Sequence, residues 1–344
     1  MASPVPPPPP GGPCLDMHDL AAMILHAHAT VDGTPFATSK IVEVNRNGAP
    51  FQTLTAQEAP HGWFDPGGPL RRVAYALYNA PQGVPAGGKI SVDTFPSPTG
   101  IFNPANADRT LTRRELEDVF WRCKDYDQGY QLAYVAQRVF DSLDGTGIHL
   151  RARTSTGYEL IFSPAELSVG TATITPREAC VIMSADESDI RPMSFSGFDG
   201  PIPWPYLVLG NVADLDRCVV LDLALPQIGG RGLGGELFAL ERHGDYLARV
   251  LPQYAEVHHV GHLTLRIVPR SATVEMRARA EALAEAVVLR LNGLGRDETN
   301  YCRYCGAPGI ITRCVVCKTS FFCQPCHKLG WKYHKKWCTP FRES

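Results

Sequence analysis

The spacing of apolar positions changes character along the chain, and each change predicts a different kind of element. Residues 15–28, LDMHDLAAMILHAH, place Leu15, Leu20, Met23 and Ile24 or Leu25 on one face of a short helix. His26 and His28 alternate out of step with that face and are expected at the surface or the edge of the core. Residues 29–110, rich in Gly, Pro, Asn and Ser, give one strand signal, KISVDTF. The helical period returns at TRRELEDVFWRC, where Thr112 as N-cap and Glu115 three residues on form a capping-box pattern. Leu116, Phe120 and Cys123 then repeat on one side, and YQLAYVAQRVFDSL renews the stripe with Leu132, Val135, Val139 and Phe140 before Gly145. KDYDQG between them predicts a break, so the helical part covers about 112–145 as two helices.

From about 150 to 270 the period becomes that of strands. GYELIFS, TATIT, CVIMSA, YLVLGNV, RCVVLDLAL, LFAL, YLARVL and HLTLRIVP are short runs separated by Gly, Pro and Asp turns, which predicts a sheet of five or more strands. In HLTLRIV, alternation puts Leu263, Leu265 and Ile267 on one face, as in a half-covered antiparallel strand. A last helix is expected over about 272–291, with Val274 or Met276, Ala280, Leu283, Val287 and Leu291 inward, Arg277 and Glu281 paired, and Gly293 as a stop. The expected fold class is α+β: an antiparallel or mixed sheet with covering helices. It fills a body at 15–293, preceded by a proline-rich disordered tether at 1–14 and followed by a linker at 294–300 and a small module at 301–340.

Composition narrows the class. The 344 residues suffice for one sizeable core and an appended module, and 44% apolar with 20% charged residues is the balance of a globular protein. No run of about 18 apolar residues suggests a membrane span. The opening MASPVPPPPPGGPC has neither the basic start nor the apolar core of a secretory signal, so the expected location is cytoplasm or nucleus. A net charge of −2 hides an asymmetry: residues 301–344 carry eight Lys or Arg against Glu343 alone, and the preceding 300 carry 25 against 34 acids. Such a tail attracts an acidic partner or settles against its own acidic body.

The body offers no catalytic constellation. GGRGLGG at 229–235 lacks the lysine and hydroxyl of a phosphate-binding loop and the glycine spacing of a dinucleotide fingerprint, and is expected to be a mobile turn. HHVGH, with His258, His259 and His262, lacks the glutamate of a zinc protease motif. Asp214, Asp216 and Asp222 stand where turns commonly place aspartates, and DESD at 186–189 reads as a solvated loop. No Gly-x-Ser-x-Gly elbow occurs.

Cysteine carries the sharper signal. Seven of the eleven lie between Cys302 and Cys338, while Cys14, Cys123, Cys180 and Cys218 are scattered. Written as ligands the tail reads Cys302-x2-Cys305-x8-Cys314-x2-Cys317-x5-Cys323-x2-Cys326-x7-His334-x3-Cys338. Each CxxC turn brings two thiolates to one ion, so eight ligands make two closed tetrahedral sites and point to two Zn2+. His334 and the even pairing favour zinc over iron–sulfur ligation. A segment with so few large apolar residues draws its folding energy from the metal.

With those ligands, Phe322, Trp331 and the closing HKKWC, the segment resembles the MYND-type zinc finger, over roughly a tenth of the chain. The resemblance implies a cross-braced order, Cys302, Cys305, Cys323 and Cys326 on one zinc and Cys314, Cys317, His334 and Cys338 on the other. The family has three residues between its third-pair cysteines where this chain has two; Cys326 is the preferred ligand, with His327 the alternative. The family's role implies protein recognition, often of proline-containing peptides, and so an adaptor or regulatory protein. The alternatives are an enzyme with an unrecognised site in the body, such as a methyltransferase, although SET motifs are not found, or a nucleic-acid-binding regulator using the basic tail.

Overall fold

The computed structural model describes residues 14–30, 39–50, 63–64, 71–79, 112–124, 129–185, 190–198, 200–267, 274–293 and 300–340. At its centre runs α1 (Met17–Thr30), buried continuously from Met17 to Ala29. A helix buried on every side must be surrounded by other elements. Its neighbours include the helix α6 (Val274–Gly293) and the strand β4 (His149–Arg153). His26 and His28 are therefore interior, at 5% and 1% exposure, rather than at the surface as their spacing suggested.

The strands form three sheets instead of one. In the first, β1 (Cys14–Asp16) runs parallel to β4, which pairs antiparallel with β5 (Glu159–Phe162). The second has the order β2 (Ser39–Arg46), β3 (Arg72–Asn79), β7 (Ala179–Ala185), β8 (Ile190–Ser196), with β3 and β7 parallel. The third is antiparallel throughout, in the order β11 (Ala239–Arg242), β10 (Val219–Asp222), β9 (Ile202–Leu209), β6 (Leu167–Pro176), β12 (Ala255–Val260). The expected single sheet divides because β3, from the stretch that reads poorly in sequence, claims the edge of β7 and draws it away from β6. Three helices cover these layers: α2 (Arg113–Lys124), α3 (Gly129–Leu143) and α6. The architecture is α+β, and among the described residues no helix is long and apolar enough to cross a membrane.

Several local expectations hold. Thr112 and Glu115 cap α2 reciprocally: the Thr112 amide donates to the Glu115 carboxylate at 2.8 Å and the Glu115 amide to the Thr112 hydroxyl at 3.3 Å. Leu132, Val135, Val139 and Phe140 all face the core from α3, and Ala280, Leu283 and Val287 do so from α6. Val274, by contrast, is 82% exposed and Met276 is also exposed, so the first turn of α6 is open to solvent.

Two strand expectations fail for identifiable reasons. YLARVL is helical: α4 (His243–Asp245) passes through a π-helical turn, Tyr246–Val250, into α5 (Leu251–Tyr254). Its buried residues are Tyr246, Val250 and Leu251, a helical spacing that a short apolar run disguises. HLTLRIV leaves the sheet after one bridge, Val169 to Thr264. The Ile267 amide instead donates to Gln137 of α3 at 2.8 Å, and Leu265 is left 77% exposed. The KISVDTF and DESD segments, residues 1–13 and the linker residues 294–299 lie outside the described residues.

The histidines of HHVGH include two on β12, both exposed, and His258 shares a hydrogen bond with Thr175 at 2.8 Å. Asp222 is a structural corner. Its Oδ2 accepts from Trp204 Nε1 at 2.9 Å and the Tyr246 hydroxyl at 2.8 Å, and its Oδ1 accepts the Ala224 and Leu225 amides at 2.9 and 3.0 Å. The glycine loop is packed inside the protein, with Gly230 and Arg231 buried, and is no loose turn. Gly229 adopts φ +73°, and a Cβ there would lie 2.0 Å from Arg122 Nη2, so the site requires glycine twice over.

Following the loop, burial pushes Glu236 up to about 7, partly offset by the Glu236 and Gly234 amides. Burial likewise raises Glu241 to about 7, against hydrogen bonds from Ser155. The folded protein thus holds protons that the unfolded chain releases nearer 4.5. Stability contributed by these groups is present in acid and is lost as pH rises to about 7. Thermal melts between pH 5 and 8 are expected to show this decline, and Glu236→Gln to flatten it; an unchanged slope in the variant would refute the assignment.

Candidate metal centre

The C-terminal module is built on repeated tight turns. In the first, Gly306 follows Cys305 at φ +73° and its amide donates to the Cys302 carbonyl at 2.8 Å. In the second, Lys318 follows Cys317 at φ +57° and its amide donates to the Cys314 carbonyl at 3.0 Å. Each turn aims its two sulfurs the same way. A third turn at Cys323 receives the Cys326 and His327 amides at 2.9 and 3.2 Å and runs into α7 (His327–Trp337), which carries His334.

These turns bring the eight residues into two groups. Cys302, Cys305, Cys323 and Cys326 form an inner cluster, and Cys314, Cys317, His334 and Cys338 an outer one, with the ligand atoms of each within 4.8 Å of one another. The order is cross-braced, since the segment that completes the outer cluster lies beyond the third turn. Cys326 belongs to the inner cluster. His327 is outside it, its exposed ring stacked on Trp331 at 5.8 Å between centroids.

The dimensions fit a tetrahedral ion. Sulfur arms of about 2.3 Å give a tetrahedron an edge of about 3.8 Å. Cys305 and Cys323 sulfurs are 3.9 Å apart, Cys314 and Cys338 sulfurs 3.8 Å, and Cys317 Sγ lies 3.8 Å from His334 Nε2. These separations are far beyond a disulfide bond, and the seven cysteines of the module are free. Ionising all four sulfurs at this spacing requires a cation among them. Among the described residues, these are the two groups of three or more Cys, His or acidic residues able to hold a metal.

The module is not suspended from the body; its residues enter the body's core. Cys302, Tyr304, Cys305, Phe322 and Cys326 belong to the same apolar cluster as α1 and α2. Gly306 sits so close to α1 that a Cβ would lie 2.2 Å from the Ala22 carbonyl oxygen. Two ionic anchors flank this contact. Arg303 grips Asp19 of α1 with both arms, one at 2.6 Å, and donates to the Ser320 hydroxyl at 3.0 Å. Although burial raises a carboxyl, Arg303 holds Asp19 below its ordinary value.

The second anchor comes from the glycine loop. Arg231 donates to Glu117 at 3.0 Å, to Asp118 at 2.7 Å and to the Tyr304 hydroxyl at 2.7 Å. Glu117 also receives Arg113 at 3.0 Å, and Arg113 donates onward to the Cys326 sulfur at 3.3 Å. A hydrogen-bonded chain thus joins loop, α2 and inner cluster. On the other side, Tyr333 stacks on His18 at 3.9 Å and donates to the Arg153 carbonyl at 3.0 Å, while Trp337 donates to the Thr154 carbonyl at 3.0 Å.

Phe322 is buried, and meets the His334 ring edge-on at 5.2 Å; Trp331 remains 39% exposed. Sequence inspection missed Arg303, Tyr304, Arg231, Glu117 and Asp19. The one available signal was a lone arginine inside a glycine-rich loop.

No protein-family model matches the chain, and no solved structure matches it. Over 39 residues it is 44% identical to Dauer abnormal formation protein 25 of Caenorhabditis elegans. The chain covers 10% of that protein, and the matched stretch is 11% of this chain. That likeness is too short to place the chain in a family.

Glu117 and Arg231 are 1% and 2% exposed as side chains, so removing one partner strands the other in the interior. Arg231→Ala is expected to destabilise the protein by about 3–5 kcal/mol in denaturant unfolding. A loss below about 1 kcal/mol would show that this anchor does not hold module and body together.

Proposed function

We propose that this chain is a zinc-binding protein whose C-terminal module, similar to the MYND-type finger, is a protein-recognition surface, and that the chain acts as an adaptor or regulatory protein. The observation that carries this reading is the pair of closed four-ligand groups with tetrahedral spacing. Seven thiols and one imidazole form a donor set suited to zinc. Cys302, Cys305, Cys323 and Cys326 hold one ion and Cys314, Cys317, His334 and Cys338 the other. With four protein ligands apiece, neither ion keeps a position for water, so the zinc is structural and not hydrolytic.

The recognition surface is the outer side of the module. Ile311, Val315, Val316 and Trp331 are the module's exposed large apolar side chains among the described residues. Apolar side chains on a rigid, metal-braced scaffold suit a short peptide, and the indole face suits proline. The basic charge of α7 supports nucleic-acid binding less well, because part of it is turned to the body. Lys332 donates to the Leu233 carbonyl, and the Lys336 side chain lies over Gly157.

Metal analysis of the purified protein is expected to give two zinc ions per chain, with one lost in Cys314→Ser. Binding to a panel of proline-containing peptides, followed by fluorescence anisotropy, is expected to weaken about tenfold in Trp331→Ala. Fewer than two ions in the intact chain would overturn the metal assignment. Equal peptide binding by Trp331→Ala and an Ile311→Asp, Val315→Asp variant would overturn the surface.

A further inference from the structure

A cleft of about 320 Å3 opens on the body between β2, α2, the β6–β7 turn and the glycine loop. Four arginines line it: Arg46, Arg71, Arg122 and Arg177. They come from four segments distant in sequence, so the fold alone gathers them. Guanidinium groups repel one another, and such a gathering needs compensating negative charge.

The protein supplies only part of that charge. The acidic residues on the walls are Glu115, Asp118 and Glu178. Asp118 belongs to the neighbouring set in which Arg113 and Arg231 balance Glu117 and Asp118. Glu178 is shared between Arg122 at 2.8 Å and Arg46 at 3.9 Å. Glu115 accepts the Thr112 amide and hydroxyl at 2.8 and 2.7 Å in the helix cap. Four cations therefore face two carboxylates.

The unmatched donors are specific. Arg71 has no acidic partner among the described residues, and Arg177 spends its Nε on the Pro252 carbonyl at 2.8 Å. Arg122 forms the deep wall and is 5% exposed. Its Nη2 reaches Glu178 and the Ile228 carbonyl, but its buried Nε and Nη1 find no oxygen acceptor; the Cys180 thiol beside it is a poor one. Gly229 lets the guanidinium lie flat against the loop backbone. Tyr75 and Tyr254 add aromatic surface to a space larger than a lone inorganic anion fills.

We propose that this cleft binds a small organic oxyanion, its charged end received by Arg71 and Arg177 in front of the buried positive charge of Arg122, and its remaining body lying toward Tyr75 and Tyr254. Planar guanidinium donors pair with phosphate and carboxylate oxygens alike, so the shared chemistry is an oxyanion of two or more negative charges. This site takes its donors from the body and does not depend on what the module recognises.

Calorimetric titration of the intact, zinc-loaded protein with glycerol 3-phosphate and with succinate, at constant ionic strength, tests it. Saturable binding of one oxyanion or both is expected. The dissociation constant should rise about tenfold in an Arg71→Ala, Arg177→Ala variant and stay unchanged in Arg249→Ala, an exposed arginine elsewhere. Binding of the phosphate alone assigns a phosphate ester, of succinate alone a polycarboxylate, and of both an oxyanion site open to either. Lack of saturable binding by both probes, or equal affinity in the double variant, would overturn the proposal. Both substituted arginines are exposed, so the variant is expected to fold, and an unchanged melting temperature verifies that.

Discussion

A buried guanidinium shared between a carboxylate and a phenol sets the terms for the rest of this structure. Arg231, Glu117 and Tyr304 are all within the interior, and none tolerates burial without the others. They belong to three parts of the chain: the glycine loop, α2 and the cysteine-rich module. Desolvating a charge is acceptable only where hydrogen bonds replace water, so these parts must meet in one arrangement. Arg113 extends the same logic to the Cys326 sulfur, which receives a charged donor.

The two metal clusters consequently live in different surroundings. The inner one is walled by α1, α2 and the apolar core, and Cys302 and Cys326 are wholly buried. The outer one is also largely covered, but its flanking residues Ile311 and Val315 are nearly as exposed as residues can be. One cluster fastens the module to the protein, and the other shapes the surface the module shows to solvent.

How much of this was legible in the sequence follows from the range of each interaction. The Thr112–Glu115 cap, the stripe of α3 and the cysteine turns are local patterns, and local chemistry specifies them. The residues of the two clusters stood out because cysteines at repeated two-residue spacing are rare by chance. The division into three sheets was not legible, because the partner of β7 lies in a Gly- and Pro-rich region with little periodicity. Nor was YLARVL, where a few apolar residues fit either period. Arg231 and Asp19 were invisible for a different reason: a charged residue alone in sequence says nothing about a partner that the fold brings to it. The arginine-lined cleft is of the same kind.

Arg303 reaches Asp19 across 284 positions of the chain. The face of α1 that receives the module therefore leaves the ribosome 284 residues before its cover. During translation that face stays open until the cysteine turns have left the ribosome and folded against it. A chain interrupted before residue 301 leaves that face of α1 uncovered, its apolar surface open to aggregation.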